Sequence, residues 1–62
     1  MSEEANKLLS LSREMRARAE EVLARAETFQ DEHARETMRE IAASYVKLAQ
    51  RLEQEADEAS KA

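Results

Sequence analysis

Histidine is the side chain that titrates near neutral pH, and this chain has one, His33. Asp31 and Glu36 lie close to it in sequence, and an imidazole beside two carboxylates is a ligand set that a divalent metal accepts. The Glu-x-x-His order of metal sites in helical bundles is absent, because Gln30 precedes His33 by three residues. We therefore interpret His33 as a solvated residue at the start of a helix. No catalytic, metal-binding or cofactor-binding residue is predicted.

The composition restricts the function further. Glycine, proline and cysteine are all absent from the 62 residues. A glycine-rich phosphate loop, a disulfide and a cysteine-based zinc site are therefore excluded. The chain also lacks a Ser/His/Asp or Cys/His grouping, and a helical hairpin of this length encloses no cleft. The sequence predicts a protein that is not an enzyme and that carries no cofactor.

The small size of the chain leads us to expect association with another molecule. A domain of this length buries only ~60% of the surface that its unfolded chain exposes, and such domains usually depend on disulfides, a metal or oligomerisation. The net charge of −4 argues against binding to anionic membranes or nucleic acid. We see no apolar leader and no apolar run of the ~20 residues that span a bilayer, so a cytoplasmic location is predicted.

Helix-forming residues dominate the chain, and its capping residues predict where two helices begin. Ser2 is a suitable N-cap for a first helix over residues 2–29, and Asp31 is a suitable N-cap for a second helix over residues 32–60. Residues 30–31 form the corner between them, within a single domain of residues 1–62. One unbroken helix is the alternative.

A size pattern with a period of seven residues argues for two helices rather than one. In the first half, small residues are followed three positions later by bulky ones. The small residues are Ala5, Ser12, Ala19 and Ala26, and the bulky ones are Leu8, Met15, Val22 and Phe29. In the second half, Met38, Tyr45 and Leu52 occupy the position that was small before. Folding the chain at Asp31 would place each of these three opposite a small residue, as close packing requires. The predicted fold is all-α, an antiparallel two-helix coiled coil.

One flank of this predicted seam carries additional apolar residues, and we predict that it is a protein interface. Its members are Leu9, Leu23, Ala42, Val46, Ala49 and Ala56. Pairing of two chains through this flank would give a homodimeric four-helix bundle. A different protein that completes the bundle is the alternative occupant.

The other flank is polar and suggests a second class of function. Arg18, Arg25, Lys47 and Arg51 would form a basic edge for RNA or an acidic partner. Glu14 and Glu21 lie one helical turn before two of these arginines and would largely neutralise them. A solvated, ion-paired surface is the simpler interpretation of this edge.

Packing motifs along residues 16–54 resemble those of short bacterial helical-hairpin proteins of unknown function. The shared features are Asp31 with Ala34-Arg35 at the corner and the pattern Ile41-Ala42, Tyr45 and Leu48-Ala49 in the second helix. That group often has proline where Glu32 stands here. The resemblance implies a bacterial helical hairpin and no particular activity. The length and plan are also similar to the RNA-regulator hairpins of Rop type, which are dimeric four-helix bundles that bind RNA.

From these observations we predict a non-enzymatic protein that acts through protein–protein interaction, by homodimerisation or by binding a partner. The alternative is a small RNA-binding regulator of Rop-like architecture.

Overall fold

The computed structural model describes residues 2–61, which form two antiparallel α-helices. Helix α1 covers Glu3–Ala26 and helix α2 covers Glu32–Lys61, and within this range there is no strand. The predicted all-α hairpin is confirmed, and one unbroken helix is excluded. The predicted domain of residues 1–62 extends one residue beyond the described range at each end. The hairpin is an elongated rod, and its Cα atoms span 48 × 13 × 8 Å.

Both predicted N-caps are present. The Ser2 hydroxyl oxygen accepts a hydrogen bond of 3.0 Å from the backbone N–H of Ala5. A carboxylate oxygen of Asp31 accepts one of 3.1 Å from the backbone N–H of His33. Each cap satisfies a first-turn donor that has no partner inside the helix, so these two residues define where the helices begin.

Helix α1 ends at Ala26, three residues before the predicted end at residue 29. The N–H of Thr28 bonds the carbonyl of Arg25 at 2.9 Å, and the N–H of Phe29 bonds that of Ala26 at 3.2 Å. These bonds span three residues, so the chain tightens and leaves the α-helical path. The Thr28 hydroxyl also donates to the Arg25 carbonyl, at 2.7 Å. In this way the helix ends without the left-handed glycine that many helices use.

Small residues from both helices form the seam between them. The fully buried residues are Ala5, Ser12, Ala19 and Ala26 of α1, and Ala42, Ala49 and Ala56 of α2. Each is between 0 and 3% exposed. Their spacing of seven residues keeps each row on one side of its helix along the whole hairpin. Because none carries a bulky side chain, the two backbones can approach closely.

This seam differs from the predicted one in the rotation of α2. The bulky row Met38, Tyr45 and Leu52 is half-buried, so it is not the row that lies deepest against α1. The deepest row of α2 is instead the alanine row, about 40° further round the helix. The deepest row of each helix is therefore made of small residues, and the bulky side chains lie beside the seam. The predicted pairing along the chain is retained, since Ser12 of α1 is level with Glu53 of α2.

Neither helix has a segment apolar and long enough to cross a lipid bilayer, as judged over residues 2–61.

Candidate interaction surface

The buried rows divide the surface of the hairpin into two flanks. In each helix, the residues on one side of the buried row stand three positions after a buried residue or one position before it. The residues on the other side of the row stand four positions after a buried residue. In an antiparallel pair, equivalent rows of the two helices meet on the same side. We call the first side the broad face. Its apolar members are Leu8, Leu11, Met15, Val22, Met38, Ile41, Tyr45, Leu48 and Leu52. The opposite side, the narrow flank, contains Leu9, Arg16, Leu23, Val46 and Glu53.

Surface grooves on the two sides confirm this division. Val22 of α1 lines one groove together with Met38 and Tyr45 of α2, so bulky residues of both helices meet on the broad face. Leu9 of α1 lines another groove with Glu53 of α2, which belongs to the narrow flank.

The broad face carries most of the exposed apolar surface. Leu11, Ile41 and Leu48 each stand one position before a buried residue and are 41–45% exposed. Phe29 is 39% exposed and extends this row of bulky residues past the end of α1. On the narrow flank, Leu23, at 44%, is the only large exposed apolar residue within residues 2–61. Three of the five large exposed apolar residues in the described part of the chain therefore lie on the broad face, and Phe29 extends it.

The predicted interface is wrong at three of its six positions. Ala42, Ala49 and Ala56 are 0–2% exposed inside the hairpin, so they are not available to a partner. The physical reason is the rotation of α2, which turns the alanine row into the seam. Leu9 and Val46 are half-buried on the narrow flank beside Leu23, and the binding of a partner by these three residues stays a prediction.

A polar cluster on the narrow flank connects the two helices. Glu53 of α2 accepts hydrogen bonds from Nε and Nη2 of Arg16, each at 2.8 Å. It also accepts a bond of 2.5 Å from the hydroxyl of Ser12, which is 2% exposed. The buried hydroxyl thus has a partner across the seam. Neither Arg16 nor Glu53 was identified from the sequence.

These bonds change the acidity of Glu53. The hydrogen bonds from Arg16, and then from Ser12, lower the pKa of Glu53 from 4.5 to about 2. The same contact raises the pKa of Arg16. Both groups are therefore charged throughout the physiological range, and the cluster acts as an ionic clasp rather than as a proton donor. From the sequence, the register predicts only that Glu53 lies level with Ser12, and the rotation of α2 then turns it towards Ser12 and Arg16.

The four predicted cationic residues do not form one edge. Arg18 and Arg25 line the broad-face groove together with Glu21. Glu14 and Glu21 flank Arg18 in a second groove. Lys47 and Arg51 are exposed on the outer side of α2, five and nine positions after Ala42, and so point away from the seam. The basic edge that the RNA-binding hypothesis requires is thus divided between two sides of the molecule.

His33 is exposed in the first turn of α2, where its backbone N–H donates a hydrogen bond to the side-chain carboxylate of Asp31. Across the described part of the chain, no three His, Asp or Glu side chains converge on a point where they could hold a metal ion.

Comparisons of the chain with protein-family models, with curated proteins and with solved structures find no match. The resemblance to bacterial hairpin proteins therefore stays a prediction.

Proposed function

We propose that this hairpin is a non-enzymatic protein-interaction module that pairs with a second copy of itself through the broad face to form a four-helix bundle. The observation that carries the proposal is the composition of the buried seam. Among residues 2–61, only six alanines and Ser12 are buried, and no large side chain is. A single hairpin therefore has a core of small side chains, and its large apolar side chains are at most partly buried.

The exposed apolar surface supports the proposal, because its burial would release free energy of the size that association costs. Burying a Leu or Ile side chain fully is worth ~1.5–3 kcal/mol. The exposed fractions of Leu11, Ile41 and Leu48 in two chains would then contribute ~4–8 kcal/mol. The half-buried rows beside the seam add to this. Association costs an estimated ~4–15 kcal/mol, so the broad face as a whole is needed to offset it.

A cytoplasmic location and a bacterial origin are part of the proposal. They are supported by the absence of cysteine and by the resemblance to bacterial hairpins.

Two leucines of nearly equal exposure allow a matched test of the broad face. Leu48, on this face, is 41% exposed, and Leu23, on the narrow flank, is 44% exposed. We expect Leu48→Glu to raise the dissociation constant of the dimer at least about 100-fold, because each dimer loses two buried leucines and gains two buried charges. Leu23→Glu should leave the dimer intact. Sedimentation equilibrium over a range of chain concentrations measures both.

Dimerisation that survives Leu48→Glu but is lost in Leu23→Glu would assign the interface to the narrow flank. A wild-type chain that stays monomeric at high micromolar concentration would contradict self-association. Circular dichroism of each variant shows whether the helices still form.

A further inference from the structure

We propose that Met38 is a site of reversible oxidation by a hydroperoxide, and that its sulfoxide prevents a second copy of the chain from packing on the broad face. This inference rests on the proposed self-association and adds to it a means of regulation.

The methionines carry all of the sulfur in this chain. Cysteine is absent, so a hydroperoxide that oxidises sulfur must react with a methionine thioether. Of the three methionines, Met15 and Met38 are half-buried on the broad face, and Met1 lies outside the described residues. Both methionines of the described chain therefore belong to the surface that the proposed dimer would bury.

A surface groove distinguishes Met38 from Met15. Met38 of α2 lines this groove on the broad face together with Tyr45 and with Val22 of α1, and Met15 is not among its lining residues. The groove has a volume of about 220 Å³. Because a water molecule takes up only about 30 Å³ of the liquid, a hydroperoxide of a few atoms can enter. In a single hairpin, the sulfur of Met38 is therefore the more accessible of the two.

The oxidation is a two-electron step. A lone pair of the Met38 Sδ attacks the terminal oxygen of the hydroperoxide, and the O–O bond breaks as the S–O bond forms. The hydrogen of that terminal oxygen passes to the departing oxygen. The thioether is thereby oxidised to a sulfoxide, and the hydroperoxide is reduced to an alcohol, or to water if it is hydrogen peroxide.

The sulfoxide opposes packing because it is polar. Oxidation converts a flexible apolar side chain into one with a strong hydrogen-bond acceptor. In a single hairpin the groove is open, so this oxygen stays in contact with water. A second copy on the broad face would remove water from two sulfoxides, one in each chain, and burial of a polar group without a hydrogen bond costs free energy.

Two arginines strengthen this effect. Arg18 and Arg25 line the same groove as Met38, and a guanidinium can donate a hydrogen bond to the sulfoxide oxygen. A guanidinium held in this way lies over the apolar surface that the second copy must cover. Packing would then bury a positive charge as well as the sulfoxide, which is more costly still.

Pairing should in turn protect Met38 from the oxidant, since the broad face is covered in the proposed dimer. Oxidation then takes place on single hairpins and removes them from the equilibrium, so the dimer dissociates by mass action. The association of the chain would thus respond both to the oxidant and to the concentration of the chain itself.

A pair of leucine variants tests the assignment to Met38. Met15→Leu leaves Met38 in place, Met38→Leu removes it, and each variant is compared with itself before treatment. After the same exposure to hydrogen peroxide, we expect the dissociation constant of the Met15→Leu dimer to rise at least about 30-fold, since two sulfoxides are buried in each dimer. That of the Met38→Leu dimer should rise less than about threefold. Sedimentation equilibrium measures both, and mass spectrometry of tryptic fragments identifies the oxidised methionine.

Two results would overturn the inference and leave the proposed function intact. One is a dimer of unchanged affinity in chains whose Met38 is fully oxidised. The other is a Met38→Leu dimer that peroxide weakens as much as it weakens the Met15→Leu dimer. An untreated wild-type chain that stays monomeric at high micromolar concentration overturns the inference and the proposed function together.

Reversal tests whether the sulfoxide itself causes dissociation. Methionine sulfoxide reductase with a thiol reductant removes the added oxygen, and the wild-type dimer should then recover its original dissociation constant. A chain that regains its original mass but stays monomeric would show that peroxide acted through irreversible damage, which contradicts the inference. The rate of Met38 oxidation should also fall as the chain concentration rises through the dissociation constant. A rate that is the same in monomer and dimer would show that pairing leaves Met38 uncovered, which also contradicts it.

Discussion

At the scale of single residues, Glu53 accepts side-chain hydrogen bonds that connect the two helices. It is bonded by the guanidinium of Arg16 and by the buried hydroxyl of Ser12, both from the other helix. The Ser12 hydroxyl needs this partner, since a buried polar group without a hydrogen bond is destabilising. The clasp therefore holds α2 at one height and one rotation relative to α1.

Replacement of Glu53 should change how stability depends on pH. Because the pKa of Glu53 is lowered from 4.5 to about 2 in the folded state, its contribution is present above pH 4.5 and is lost as the pH falls towards about 2. We expect Glu53→Gln to lower the melting temperature at pH 7 and to differ less from the wild type at pH 2. Circular dichroism melts at several pH values measure both effects.

Glu40→Gln is the matched control, because it removes the same charge from an exposed position of α2. If the two variants melt alike at pH 7, the clasp does not stabilise the hairpin.

At the scale of the helices, the alanine rows determine how α1 and α2 pack. An alanine every seven residues on each helix lets the backbones approach closely and leaves the bulky residues beside the seam. The broad face owes its exposure to this arrangement, because side chains such as Ile41 and Leu48 are turned away from the partner helix within the chain. Close packing inside the hairpin and an apolar surface outside it therefore have one cause.

Enlarging a seam alanine should separate the helices. Ala49 is 0% exposed, so Ala49→Leu inserts three carbons where there is no space, and we expect a loss of about 1–3 kcal/mol in the free energy of unfolding. Ala43 is exposed on the same helix, and Ala43→Leu should change stability by less than about 0.5 kcal/mol. Urea titration followed by circular dichroism compares them. Equal stabilities would show that the alanine row is not closely packed.

At the scale of the whole molecule, the hairpin is extended rather than compact. Its radius of gyration is 14.4 Å, against roughly 11 Å for a compact domain of this length. A rod this thin can bury small side chains at its seam, but the large ones reach its surface. Stability of the chain is therefore expected to depend on pairing, so folding and association should be coupled.

This coupling predicts that stability depends on chain concentration. A tenfold increase in concentration should add about 1.4 kcal/mol to the free energy of unfolding of the dimer, and the melting temperature should rise accordingly. Circular dichroism melts across two decades of concentration measure the shift. The Leu48→Glu variant should melt at a lower temperature that is independent of concentration. A wild-type melting temperature that does not change with concentration would show that the hairpin is stable alone.

Local chemistry in the sequence is sufficient to predict both helices and their antiparallel register. Ser2 and Asp31 bond backbone donors two or three residues away, so their effect is visible in a short stretch of sequence. The register follows from the heptad rows, since a fold near Asp31 brings Ser12 level with residues 52–53 whichever row faces inward.

The tertiary structure alone decided the rotation of α2. The bulky row that contains Tyr45 and the alanine row that contains Ala49 differ by only about 40° around the helix, and either could face α1 according to size. The choice depends on how closely two complete helices approach, which is a property of both surfaces together. The clasp at Glu53 and the exposed broad face both follow from that rotation, and so neither could be derived from the sequence.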